Sequence, residues 1–430
     1  PRPPGARRRW LLAAGAAAAA AVLVAGALAL DGGTDDGGQS GSSSGGRGGN
    51  SSESGGGSPA GDGSRTASVA LPYGGEGHTR DFGKAGGDRA QRPKNWQPWA
   101  AKVPGGSGPC AVHGEHLVCT GPDGGATGLR ASDGERLWSV PGGGAKLRSA
   151  ASYPAVHDGA LYVTGQQGVT AYDLADGHRT WHAQGPGDDY AFKDTDTAGG
   201  TLYTTYLGPD ETSDGLVTAR RLGGDRKVLW KARVPGIVET PLAVGDRLYV
   251  LSNKGLTAYD TRSGKRLARS SETECFLMSA TADALLCGGR QDGGVAVLDA
   301  GTLQRRRVIA EDVQAMSAPT AAGKDTLLLA DDKRLYAYDV PSGRRLWDQE
   351  VIDEAGRIDV VGDTVLTGSG LSVTAYPLDG KADRGTPATF QAPAGTDEEE
   401  LGAGPTDSLA VGGVLFLILD GWVISGYLPS

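Results

Sequence analysis

Four cysteines, Cys110, Cys119, Cys275 and Cys287, carry the clearest chemistry in this 430-residue chain. Cys110 and Cys119 stand at equal distances on either side of a turn at Gly114-Glu115. Opposite positions of a tight hairpin hold their β-carbons about 4.5–5.5 Å apart, within reach of a disulfide. Cys275 and Cys287 flank a matching hairpin with an offset register. An even count, paired within hairpins, argues for two disulfides and an oxidising compartment. Four buried thiols are the alternative reading.

The remaining reactive residues do not assemble into a catalytic pattern. Gly368-Ser369-Gly370 has no glycine two positions before the serine, so it is not a nucleophile elbow. His178 and His182 share one face of a strand, but no third ligand follows at metal spacing. Asp194-x-Asp196 lacks the glycine turn and distal glutamate of a calcium loop. No metal, cofactor or catalytic residue is therefore expected. Acidic residues do concentrate in two segments: Asp188, Asp189, Asp194 and Asp196 within 183–196, and Asp397 to Glu400 within 392–406. Asp188, Asp189, Asp397 and Glu398 are the candidates for a ligand-facing surface, with merely solvated insertions as the alternative. The net charge of −9 argues against a nucleic-acid partner, which would need a basic face.

These residues are positioned by a repeat. Tyr153 to Val163 and Thr240 to Val250 each read as strand, Gly/Asp turn and strand. A third strand ends in Ala171-Tyr172-Asp173, Ala258-Tyr259-Asp260 or Ala337-Tyr338-Asp339, and a fourth carries Trp138, Trp181, Trp230 or Trp347. The first turn recurs at Gly114, Gly159, Gly200, Gly245, Ala282, Gly323, Gly362 and Gly412. Eight turns predict eight four-stranded antiparallel meanders over 95–430, and units this short satisfy their edges by radial closure. The fold class is all-β, an eight-bladed β-propeller, expected to be monomeric. The last unit stops at Tyr427 with three strands, whereas Trp99-Ala-Ala-Lys-Val-Pro-Gly105 matches the fourth-strand segment Trp230-Lys-Ala-Arg-Val-Pro-Gly236. The N-terminal segment is thus predicted to complete the last blade. The recurring tryptophans, Trp99 included, are read as blade-packing residues because they repeat.

Ahead of the propeller, residues 1–9 form a basic stub ending in Arg7-Arg8-Arg9, followed by an uncharged run over 10–30. That run is long enough to cross a bilayer, and its arginine flank predicts a single-pass signal anchor with the N-terminus cytoplasmic and the propeller extracellular. A cleaved signal peptide is the alternative. Residues 31–94 are rich in Gly, Ser and Asp and are expected to be a disordered linker.

The pattern Leu248-Tyr249-Val250, Gly255, Ala258, Asp260, Ser263-Gly264, repeated at Tyr336 to Asp339, Ser342-Gly343 and Trp347, resembles the pyrroloquinoline-quinone-type (PQQ-like) propeller repeat. The resemblance covers Trp96 to Leu428 and implies the fold. Quinone-dependent dehydrogenases of this repeat class hold their cofactor over the central channel with adjacent cysteines, a stacking tryptophan and calcium ligands. No two cysteines are adjacent here. The Ala/Gly/Arg-rich composition suggests an actinobacterial source. Tethered propellers there resemble the extracellular half of receptor-type serine/threonine kinases or free-standing surface proteins. The function expected is a non-catalytic binding, sensor or scaffold propeller. It would be tethered to the cell membrane and bind an unidentified extracellular ligand or envelope protein. The alternatives are a quinone-dependent dehydrogenase-like enzyme and an envelope-protein assembly scaffold.

Overall fold

The computed structural model describes residues 77–429, apart from 104–107, 122–123, 143–152, 211–212, 290–292, 316, 353–355, 382–384, 393–395, 397–400, 402–406 and 420. The expected membrane helix at 10–30 and the linker up to 76 lie outside the described residues. Among the described residues no helix is long and apolar enough to cross a membrane.

The strands form eight antiparallel sheets of four, each made of consecutive strands except one. That exception is the closure: Ala100–Lys102 pairs antiparallel with Trp422–Tyr427, with Ala100 opposite Ile424 and Lys102 opposite Trp422. All eight first turns fall where the repeat places them, and seven of those positions are glycines with positive φ. First strands of successive blades lie against one another, so they form the inner ring around the channel. Second strands such as Thr326–Ala330 and Val414–Leu419 are almost wholly buried on both faces. Each blade is sandwiched between two neighbours, so apolar residues occupy both sides of the pleat rather than alternating. Fourth strands such as Arg179–Gln184 and Arg266–Ser270 are largely exposed, as an outer rim must be.

One repeated contact locks blade to blade. Trp138 donates from Nε1 to the Leu174 carbonyl at 2.9 Å, Trp230 to Thr261 at 2.9 Å and Trp347 to Leu378 at 3.0 Å. Each acceptor lies at the third turn of the following blade. The indoles also lie flat on that turn's glycine, so a Cβ at Gly177, Gly264 or Gly380 would collide with the ring. Trp99 does the same across the closure, donating to Ala131 of the first blade at 3.1 Å and covering Gly134. Trp181 departs from this pattern. Arg220 and Arg226 of the next blade stack over its ring, at 5.2 and 5.6 Å. The charges stand where the third blade has lost its Tyr-Asp pair.

The linker boundary needs correction. Residues 77–94 were expected to be disordered, yet they fold onto the propeller. Gly83–Gly87 forms a helical turn and Arg89–Gln91 a 3-10 turn. Phe82 and Trp96 are buried in the same apolar cluster as Val361, Leu409 and Phe416. Gly86 is required there, because a Cβ would meet Phe82 and Val361 at about 3 Å. A Gly/Asp-rich composition hid this segment, because a few well-placed side chains suffice where the propeller supplies the rest of the core.

Candidate functional site

A buried cluster of charged residues faces the channel, and the protein's own chain runs through it. Gly77 to Gly83 contacts five blades. The Gly77 carbonyl accepts from Ala280 N at 2.9 Å, and Arg80 O and Phe82 N bond Val360 as an added parallel bridge. Asp81 accepts from Gly323 N at 3.1 Å. His78 pairs with Asp196 at 3.2 Å, whose other oxygen accepts from Ala243 N at 2.6 Å.

Arg80 is the centre of the arrangement. Its Nε donates to Asp359 at 2.8 Å, Nη1 to Asp407 at 2.9 Å, and Nη2 to the Ser408 carbonyl at 2.8 Å and hydroxyl at 3.0 Å. Asp359 and Asp407 belong to the inner strands Ile358–Val361 and Asp407–Val411. One guanidinium therefore staples the last two blades to the N-terminal segment. Burial opposes its charge, but Asp359 and Asp407 outweigh that and hold Arg80 above its ordinary range. Asp407 is shifted the other way, up from the usual carboxylate range, because burial exceeds the pull of Arg80 and Arg357. Burial likewise raises the Tyr153 phenol.

Arg357 is held less completely. Its guanidinium lies 3.6 Å from Asp359 and 3.5 Å from Asp407, with about 20% of the side chain exposed. Burial lowers its basicity. On the side that His78 and Arg80 face, a cavity of about 350 Å³ opens, lined by Tyr153, Phe276, Met278, Arg357 and Asp407 among others. Thr79 and Asp81, alternating along the extended segment, face a separate groove on the other side.

The acidic segment 183–196 divides. Asp188 and Asp189 stay exposed in the join between blades two and three. Asp194 and Asp196 are not part of that loop. They lie on the inner strand Ala191–Ala198, and burial pushes the Asp194 carboxyl up to about 6. A period-two strand with acid at alternate positions aims both carboxylates one way. Asp397 and Glu398 lie outside the described residues. The cysteines form two bridges, Cys110–Cys119 and Cys275–Cys287, with Cα atoms 4.0 and 4.5 Å apart. Cys110 and Cys119 are directly paired in register, whereas Cys275 precedes its strand, as the offset predicted. Sequence reasoning missed His78, Arg80, Tyr153, Arg357, Asp359 and Asp407. A signal existed at His78 to Phe82, where charge and an aromatic interrupt the Gly/Ser tract.

The family described as outer membrane protein assembly factor BamB matches residues 80–222 and 305–418. The chain belongs to this family of PQQ-like propeller repeats. Its match begins at Arg80, inside the tract read as linker. No curated protein matches the sequence. Among solved structures, the computationally designed Ika8 protein aligns at 12% identity with TM-score 0.57, over 76% of this chain and 98% of its own. Quinohemoprotein alcohol dehydrogenase from Comamonas testosteroni aligns at 12% identity with TM-score 0.56, over 84% and 81%. Sqt1 from Saccharomyces cerevisiae aligns at 12% identity with TM-score 0.53, over 79% and 98%. A designed protein and an oxidoreductase on one backbone mean that these likenesses carry the fold and no activity.

The channel carboxylates do not fit a calcium ion of the kind that accompanies a quinone. Asp359 and Asp407, the carboxylates best placed for a cation, already grip the Arg80 guanidinium. Among the described residues no group of three His, Cys, Asp or Glu could hold a metal ion.

Proposed function

We propose that this chain is a non-catalytic binding or scaffold propeller of the cell envelope, held to the membrane by its N-terminal run. The observation that carries this reading is the channel. The inner-strand carboxylates Asp359 and Asp407, which could otherwise receive a cation, are committed here to the chain's own Arg80. Two disulfides support a location outside the reducing cytoplasm. The family description, an assembly factor for outer membrane proteins, favours protein recognition over small-molecule turnover. In a ring whose repeat residues are consumed by packing, recognition falls to loops that depart from the repeat. The exposed acidic loop at Asp188-Asp189 and the acidic run at Asp397-Glu398 are the elements we assign to a basic or polyhydroxy envelope partner.

The test is retention of the full chain on isolated envelope fractions. Changing Asp188 and Asp189 to Asn, with Asp397→Asn and Glu398→Gln, should abolish retention while leaving the melting temperature nearly unchanged. Retention should also fall as salt rises. Retention unchanged in the fourfold variant overturns the assignment to the acidic loops, and alcohol oxidation by the chain supplied with quinone and calcium overturns the non-catalytic reading.

A further inference from the structure

The cavity on the His78 and Arg80 side of the channel has unmet demands of two opposite kinds. Asp407 is 2% exposed, and its Oδ1 accepts from Arg80 Nη1 and from Ser408 N, both at 2.9 Å. Its Oδ2 is buried and has no hydrogen-bond partner among the described residues. A buried carboxylate oxygen without a donor is costly, so a ligand that donates there is strongly favoured. Arg357 lines the same cavity and has the complementary need. It approaches Asp359 and Asp407 only at 3.6 and 3.5 Å, and no hydrogen bond from it to a described residue replaces them. A guanidinium with free donors beside a cavity seeks a planar oxyanion, which it can grip with two N–H groups at once.

Charge balance narrows the ligand further. Arg80 and Arg357 face Asp359 and Asp407, two positive against two negative. Asp359 is otherwise engaged by the Ser408 hydroxyl. Across the cavity, His78 is paired with Asp196, with Asp194 alongside on the same strand. Among the two arginines and their two aspartates a simple anion or a simple cation would add an uncompensated charge, and Asp194 and Asp196 beyond His78 oppose an anion further. A zwitterion adds none. The rim supplies the rest: Phe276 is 62% exposed and Leu277 37%, with Met278 and Ile358 beneath them. The Cys275–Cys287 bridge adjoins Phe276 and fixes its strand at the mouth. Exposed aromatic and aliphatic side chains at a concave mouth suit an apolar body.

We infer that this cavity is a binding site for a small apolar α-amino acid, with its carboxylate on Arg357, its ammonium at Asp407 Oδ2 and its side chain against Phe276 and Leu277. A volume of about 350 Å³ suits a ligand of that size. The described residues that line the site include none of the acidic residues assigned to envelope recognition.

Titration calorimetry on the full chain, with L-phenylalanine and L-leucine as probes, tests this. Both should bind, whereas N-acetyl-L-phenylalanine, which has lost the ammonium, and L-phenylalaninamide, which has lost the carboxylate, should each bind about tenfold more weakly or less. Arg357→Gln should weaken L-phenylalanine by about tenfold or more. That variant also removes one charge from the buried network, so its affinity is read well below its own melting temperature, and Phe276→Ala serves as the variant that leaves the network intact. Phe276→Ala, at an exposed position, should weaken L-phenylalanine more than glycine. No heat from either free amino acid, equal binding of the blocked derivatives, or full affinity in Arg357→Gln each overturns the proposal. Envelope retention of Arg357→Gln should match the unaltered chain, so failure here is distinguishable from failure of the acidic-loop reading.

Discussion

Two stretches of the N-terminal region hold the ring closed, and they do so by opposite physics. Ala100–Lys102 is a clasp at the rim: it adds a fourth strand to the last blade and, through Trp99, packs on the first. Gly77 to Gly83 is a bolt through the channel, fastened by Arg80 to carboxylates of blades seven and eight. The clasp works through backbone pairing and apolar area, the bolt through a buried ionic network. Buried ionic networks add modest net stability when complete but are very costly when broken at one partner. The comparison thus predicts different failures for the two.

The largest effect should come from removing the clasp. Deleting residues 96–103 leaves Trp422–Tyr427 as an open apolar edge, and exposed edges recruit other strands. Unfolding should lose cooperativity and the protein should aggregate, as read by calorimetry and light scattering. Deleting 40–76, which stops short of the bolt, should change neither. Equal melting of the two deletions would mean that the clasp does not close the ring.

The bolt should fail less drastically. Arg80→Met strands Asp359 and Asp407 in the channel and should cost about 3–5 kcal/mol in urea denaturation. Adding Asp359→Asn should recover part of that loss, because Arg357 remains to pair with Asp407. If the double variant is as unstable as Arg80→Met or worse, the cost lies in lost packing rather than in stranded charge.

The smallest effect concerns Asp194, raised from 3.8 to about 6 by burial. The folded protein then keeps this proton over a pH range where the unfolded chain has released it. Stability contributed by the neutral form therefore falls as pH rises from about 4 to 6 and is level above that. Asp194→Asn should flatten this part of the profile and leave the protein more stable than the unaltered chain at pH 7. Parallel pH profiles for the two proteins would mean that the Asp194 carboxyl is not perturbed.

The contrast between clasp and bolt also marks what could be read from the residues. The clasp was legible because it copies a fourth strand, down to the Val-Pro-Gly that ends it. Likewise the Cys110–Cys119 bridge follows from symmetry about one turn, and the packing tryptophans from their recurrence. The bolt copies nothing. His78 and Arg80 sit in a tract whose composition argues for disorder, and their partners are up to 328 residues distant in the chain. Asp194 and Asp196 were grouped with a polar loop because acidic residues at a blade join look solvated. They line the channel because a strand in the inner ring faces the axis rather than a neighbouring blade.

By itself the sequence determined the repeat, the number of blades, the register of their turns and the means of closure. All of these depend on contacts within about forty residues or on copying a local pattern, and local patterns survive in one dimension. The channel was decided only by tertiary structure. Its residues come from several separate blades, and nothing along the chain relates Tyr153, Arg357 and Asp407. Only radial closure places them around a common axis, where burial makes charges that would be ordinary on a surface depend on one another.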